Sequence, residues 1–260
     1  MFRGLINLLP IWQIFLINLS ILICISLLAS YLGSILIPQE TIDREYSRST
    51  DSVLNIMGSG YGVFLGFVII ALWNHYLAVQ KIIYEETDAI SVIVRHLDVF
   101  PPKEASLLRK NIQAYVVAVR GDEWEKMREG KESEKAWTAL QDLLLSFQDY
   151  TPQTPKEELF YRQSLSFLDK VLKQRRDRLM AAKSIINDEL RTALILGAIV
   201  IIFLASLLKA KEGGMRIFAN VCLAIVIGFN LTLAISFDFP FSGSISVGNS
   251  PFYEGVLATL

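Results

Sequence analysis

The chain has 260 residues, 52% of them hydrophobic, and a mean hydropathy of +0.41, a balance that points to a membrane protein rather than an ordinary globular chain. With 25 Lys and Arg against 26 Asp and Glu, its formal net charge is −1, so no global attraction to nucleic acid is expected. Cys24 and Cys222 each lie inside an apolar run, and His75 and His96 stand apart, which leaves neither a disulfide framework nor a zinc site.

Four stretches are long and apolar enough to predict membrane-spanning helices, which need about 20 residues each. The first covers 11–37 without a charge. It is too long for a signal-peptide core, no small-x-small cleavage site follows it, and Trp12 and Tyr31 are its expected interfacial anchors. The others cover 61–79, 192–208 and 217–237. The expected organisation is a transmembrane hairpin over 1–80, a helical domain over 81–191, a second hairpin over 192–237 and a C-terminal tail over 238–260. The fold class is therefore an all-α integral membrane protein, with four transmembrane helices and a helical domain inserted between spans two and three.

Residues 80–191 hold 19 of the 25 Lys and Arg and 19 of the 26 Asp and Glu. Balanced charge with apolar residues at helical spacing describes a folded, solvated helical domain. Ile82, Ile83, Ala89, Ile90, Ile93, Val94 and Leu97 form one apolar stripe, ended by Pro101 and Pro102. A second runs through Leu107, Leu108, Ile112, Tyr115, Val116 and Val119 and is expected to stop at Gly121. The third spans about 132–147, with Leu140, Leu143, Leu144 and Phe147 on one side. Trp124 and Trp137 are expected as core anchors of this domain. In "TPQTPKEE", Thr154 fits an N-cap, Pro155 the first helical position and Glu157 the third, a capping box. No Pro or Gly follows until Gly197, so one helix is expected to run from here into the third span, a rod of about 75–80 Å.

The basic residues near the span ends set orientation. Arg3, Lys81, Arg95, Lys173, Arg175, Arg176, Arg178, Lys183 and Arg191 fall on the domain's side, and Arg44, Arg48, Lys209, Lys211 and Arg216 opposite. This bias predicts a multi-pass protein of the cell's inner membrane with domain and termini cytoplasmic, although the short loop "KAKEGGMR" runs against it. Lys173, Arg175, Arg176, Arg178 and Lys183 form the densest basic cluster. It could meet anionic headgroups or draw anions to a vestibule; the alternative is a solvated face paired with Asp169, Asp177 and Asp188.

"GSGYGVFLGF" at 58–67 has the look of a phosphate loop, but it lacks a preceding strand, the G-x-G-x-x-G spacing and a following Lys-Ser/Thr. Gly58, Gly62 and Gly66 are instead four apart, the small-xxx-small pattern that lets membrane helices approach closely, either within one chain or between identical helices round an axis. The neighbouring ridge carries Ser59, Val63, Phe67 and Ile70. No G-x-S-x-G or H-E-x-x-H motif appears, and an enzyme is not expected.

The segment "YGVFLGFVIIALWNHYLAVQKIIYEETDAISVIVRHL" resembles the second span and following helix of bestrophins, chiefly their bacterial relatives and a bestrophin-like bacterial family. F-L-G-F at 64–67, Trp73, Tyr76, Ala78 and Glu85-Glu86 carry the likeness. After the last span, Asp238, Pro240, Phe241 and Gly243 in "FDFPFSGSISV" are similar to the acidic-x-Pro-Phe-Gly stretch after the fourth bestrophin span. The resemblance implies an ion channel, a homo-oligomer and usually a pentamer, whose second span lines an apolar neck. On the matching positions that neck would be formed by Ser59, Val63 and Phe67, with Ile70 beyond; Ser59 departs from the pattern in being polar. Calcium-gated bestrophins follow the last motif with a run of carboxylates, whereas here Glu254 is the sole acid after it, so calcium gating through this segment is not expected. The leading expectation is a bestrophin-like channel passing anions in preference to cations. Its partners would be the lipid bilayer, inorganic ions and copies of itself, with no cofactor, metal or nucleic acid. The alternative is a non-conducting membrane scaffold or sensor whose helical domain recruits a partner.

Overall fold

The computed structural model describes residues 2–36, 44–208 and 214–260. Residue 37 of the first expected span, Lys209 and Lys211 lie outside the described residues, as do the side chains of Arg44, Arg48 and Arg216. The described residues fold as helices without a strand: α1 (Phe2–Leu8), α2 (Ile11–Leu36), α3 (Arg44–His96), α4 (Pro102–Ala118), α5 (Trp124–Arg128), α6 (Glu134–Gln148), α7 (Pro155–Ala181), α8 (Asp188–Leu208) and α9 (Gly214–Phe237). Four stretches, Ile11–Ile35, Ser52–Val99, Asp188–Leu207 and Ile217–Phe237, are long and apolar enough to cross a membrane. The chain divides into two compact units: Met1–Asn74 with Ser184–Asp238, and His75–Lys183 with Phe239–Leu260.

In the first unit α2, α8 and α9 pack on one another. Ile14, Leu22 and Ala29 of α2 are buried, as are Leu194, Ala198 and Ile202 of α8 and Ala224, Leu231 and Ala234 of α9. Lipid tails are as apolar as these side chains, so packing and polar contacts hold such helices together. Asn18 donates to Thr232 at 2.9 Å, and the Ser26 and Ser206 hydroxyls are 2.7 Å apart. Each such bond is worth about 0.6 kcal/mol on average. One glycine allows close approach: a methyl group on Gly197 would lie 2.5 Å from the Tyr61 ring, whose hydroxyl donates to the Leu194 carbonyl at 2.8 Å.

The second unit is built round a core from α3, α4, α6, α7 and the tail. Ile83, Ile90 and Leu97 meet Leu108, Ile112 and Val116, with Leu140, Phe147, Val171, Phe241 and Phe252 also inside. Most of the expected stripe residues are buried, but Leu107 and Trp137 are about half exposed, so Trp137 is not a core anchor. Trp124 packs on the core through edge contacts with Phe241 and Phe252. Thr154 caps α7 as expected, accepting from the Glu157 N–H at 3.2 Å, while the Glu157 carboxylate reaches back to the Gln153 N–H at 2.9 Å. That carboxyl lies below its usual range, first through the Tyr150 hydroxyl that donates to it at 2.5 Å.

Two expected helix boundaries are corrected. The second stripe does not stop at Gly121: a π-helical turn, Val119–Glu123, carries the chain into α5. Widening the ladder by one residue spans the glycine and turns Glu123 inward, where it is fully buried. The rod from Thr154 into the third span is also absent, because α7 ends at Ala181 and α8 begins at Asp188. Here the Ile185 and Ile186 N–H groups turn from the helical ladder to the Asp238 carboxylate, at 2.9 and 2.7 Å. Asn187 then starts α8 by accepting from the Leu190 N–H at 3.0 Å.

Candidate pore face and its supports

An α-helix advances 100° per residue, so α3 carries distinct rows along its length. Leu65, Leu72 and Val79 occupy one row and are at most 3% exposed. About half a turn away lie Ser59, Val63, Phe67 and Ile70, all exposed, the last three at 59%, 68% and 58%. The single chain thus leaves an apolar row uncovered, the row that the bestrophin resemblance places at a neck. One copy of such a row cannot enclose a path; several copies round an axis can.

Gly58, Gly62 and Gly66 lie beside this row. Apart from their own helix backbone and chain neighbours, no atom of the described residues lies within 4 Å of where a Cβ on any of them would stand. Of the two packing modes open to the small-xxx-small pattern, close contact within the chain is therefore not found at these glycines among the described residues, whereas Gly197 makes such a contact with Tyr61. The three glycines border a cavity of 210 Å³ with Ile201 of α8 and Val226 and Asn230 of α9.

Asp238 ends α9 as an almost fully buried carboxylate. It accepts from the Ser184 hydroxyl at 3.0 Å, from the two backbone N–H groups of the α7–α8 joint, and from Arg191 at 2.6 Å. Both oxygens are engaged and the charge is balanced, so Asp238 fastens the start of α8 to the end of α9. Burial lowers the pKa of the nearby Arg3 guanidinium, with the Asp238 charge acting in the other direction. Of the other post-span residues, Phe241 is buried in the second unit and Gly243 adopts a positive φ of 76°, a conformation that favours glycine. Pro240 is buried, and its carbonyl accepts from the Val247 N–H at 2.8 Å.

The basic cluster does not stay together. Lys173, Arg176 and Lys183 are exposed, but Arg175 and Arg178 point into the core. Arg178 donates to Glu86 at 2.7 and 3.1 Å and to Glu123 at 2.8 Å, and its third nitrogen meets the Met127 sulfur at 2.9 Å. Arg175 forks onto Glu123, with its Nε at 3.1 and 3.2 Å from the two oxygens. Neither pairs with Asp169, Asp177 or Asp188. Tyr115 completes the cluster by donating to Glu86 at 2.6 Å. Burial disfavours the Arg178 charge, but Glu86 and Glu123 outweigh it and raise its pKa; burial, then the Glu86 charge, pushes the Tyr115 phenol well above its usual value. Two carboxylates and two guanidiniums cancel, which makes this a structural clamp between α3, the π-turn and α7 rather than an anion funnel. The acidic pair Glu85-Glu86 hinted at one half of it. The inward turn of Glu123 had no local sequence signal.

Among the described residues, no group of three His, Cys, Asp or Glu side chains is placed to hold a metal ion. The free cysteines Cys24 and Cys222 are exposed.

A Bestrophin-like domain matches residues 21–252. The chain belongs to the bestrophin-like family of membrane proteins. Its fold is also that of solved bacterial relatives. A crystal structure of a bacterial bestrophin homologue from Klebsiella pneumoniae, determined with zinc phasing, is 14% identical, with a TM-score of 0.70 over 90% of this chain and 93% of that one. A point variant of the Klebsiella pneumoniae homologue is 15% identical, with a TM-score of 0.69 over 91% and 95%. No curated protein matches this chain.

Proposed function

We propose that the chain is a homo-oligomeric ion channel of bestrophin type, with a pentamer as the assembly the resemblance implies. Copies of α3 would surround an axis, with Val63, Phe67 and Ile70 forming an apolar constriction and Ser59 at one end of it. The observation that carries this reading is the uncovered apolar row on α3, set opposite a buried row in a chain of this family. An ion entering a narrow apolar ring loses hydration without gaining ligands, so such a ring can gate by dewetting. Gly58, Gly62 and Gly66 would let the neighbouring copy's helix approach, which gives the open cavity beside them an occupant. The preference for anions rests on family association. Orientation rests on the basic residues near the span ends, which favour an inner-membrane protein with residues 81–191 cytoplasmic.

Conductance of the reconstituted protein tests this reading. Phe67→Ala should widen the constriction and raise single-channel conductance, whereas Phe64→Ala, on another face and beside Tyr61, should change it little. Gly62→Leu should abolish conductance by separating the subunits while helix content persists. Silent vesicles from both wild type and Phe67→Ala would remove the channel reading.

One feature favours the scaffold alternative. An open groove of 990 Å³ on the second unit, lined by Leu107, Leu145 and Tyr150 with Lys103, Glu104 and Asp149, is large enough for a partner's segment. Silent vesicles would make it the leading reading.

A further inference from the structure

We propose that the second unit binds a free α-amino acid with a large apolar side chain, in a cavity of 400 Å³ between α6 and α7. That volume lies in the range of small-molecule sites, about 300–1,000 Å³. The inference concerns this unit alone and holds for a conducting and a non-conducting chain alike. Both helices supply the apolar lining. Leu140 of α6 is buried, and Leu172 and Leu179 of α7, two turns apart on one side of the helix, pack partly buried against the same core. Trp137 and Met180 line the cavity too, yet stay 52% and 62% exposed, so both offer apolar surface that the domain's own core leaves uncovered.

The charges of the lining are divided between the two elements. Arg176 comes from α7 and Lys183 from just past its end, whereas Glu132 precedes the α6 N-cap and Glu134 is the first residue of α6. Among the described residues, none of these four side chains belongs to an ion pair. Arg175 also borders the cavity, but its charge is spent on Glu123. Its guanidinium lies over the Trp137 ring, 5.4 Å from the centroid, and steadies the indole as a platform. Two free cations and two free carboxylates cancel, so neither a simple anion nor a simple cation satisfies the cavity. A zwitterion does. Its carboxylate meets Arg176 and Lys183, its ammonium Glu132 and Glu134, and its side chain Trp137 and the leucines.

Isothermal titration calorimetry of the purified full-length protein in detergent tests the assignment, with L-phenylalanine as the probe. It should bind. 3-Phenylpropionate, which lacks the ammonium, and phenethylamine, which lacks the carboxylate, should each bind roughly tenfold more weakly, as loss of a charged hydrogen-bond partner predicts. Arg176→Gln with Lys183→Gln, and separately Glu132→Gln with Glu134→Gln, should weaken L-phenylalanine by a similar factor. Trp137→Ala should weaken it as well, and Lys173→Gln, on α7 but outside the cavity, should leave it unchanged. All the substituted side chains are exposed, so the unfolding midpoint without ligand should stay at the wild-type value and separate a lost site from a lost fold. Absence of L-phenylalanine binding overturns the inference. So does 3-phenylpropionate binding as tightly as L-phenylalanine, which would make the cavity an anion site, or full affinity in both charge variants.

Discussion

Arg178 stands in a run of cations in the sequence, yet its guanidinium is fully buried and bonded to two carboxylates and a methionine sulfur. Its partners lie 92 and 55 positions away, beyond any local pairing rule. The sequence showed five cations close together and acids within a helical turn, which describes a solvated face. It could not show that a π-turn delivers Glu123 to the core. Removing one partner of a buried pair leaves an uncompensated charge, at a cost of about 3–5 kcal/mol. Arg178→Met should therefore lower the thermal unfolding midpoint in detergent strongly, while Arg176→Met, on the exposed side, should change stability by no more than about 0.5 kcal/mol. Equal effects from the two substitutions would mean that the buried clamp contributes nothing.

At the scale of elements, the four spans and most stripes of the inserted domain were legible, because apolar runs and 3.6-residue periodicity are local properties. The joints were not. Propensity alone allows a helix from Pro155 through Leu208, with no Gly or Pro before Gly197. The break at 182–187 comes from Asp238, a residue some 50 positions downstream that offers the backbone a better acceptor than the next turn. The uninterrupted helix is instead α3, which bears both the expected neck row and Glu86 of the clamp. Glycine spacing at 58, 62 and 66 was visible, but which neighbour it serves depends on packing that one chain does not contain.

The orientation of the spans can be measured. Cys24 and Cys222 are free and must first be replaced. Single probes at Ser47→Cys and Lys156→Cys then report the two sides. Ser133 would make a poor probe, being buried as the N-cap of α6. The basic bias predicts that an impermeant maleimide labels Ser47→Cys in intact cells and reaches Lys156→Cys only after permeabilisation. The reverse pattern would place the helical domain outside.

For the whole molecule, the central issue is what covers the apolar row on α3. A lipid-facing row would need no partner, but a row that lines a path needs copies related by a closed rotation. Imaging the purified wild-type assembly in lipid discs decides between them. A ring of identical copies, five by family resemblance, with α3 innermost and Val63 and Phe67 turned to the axis, is the predicted result. A monomer, or a ring with α2 or α9 innermost, would contradict it.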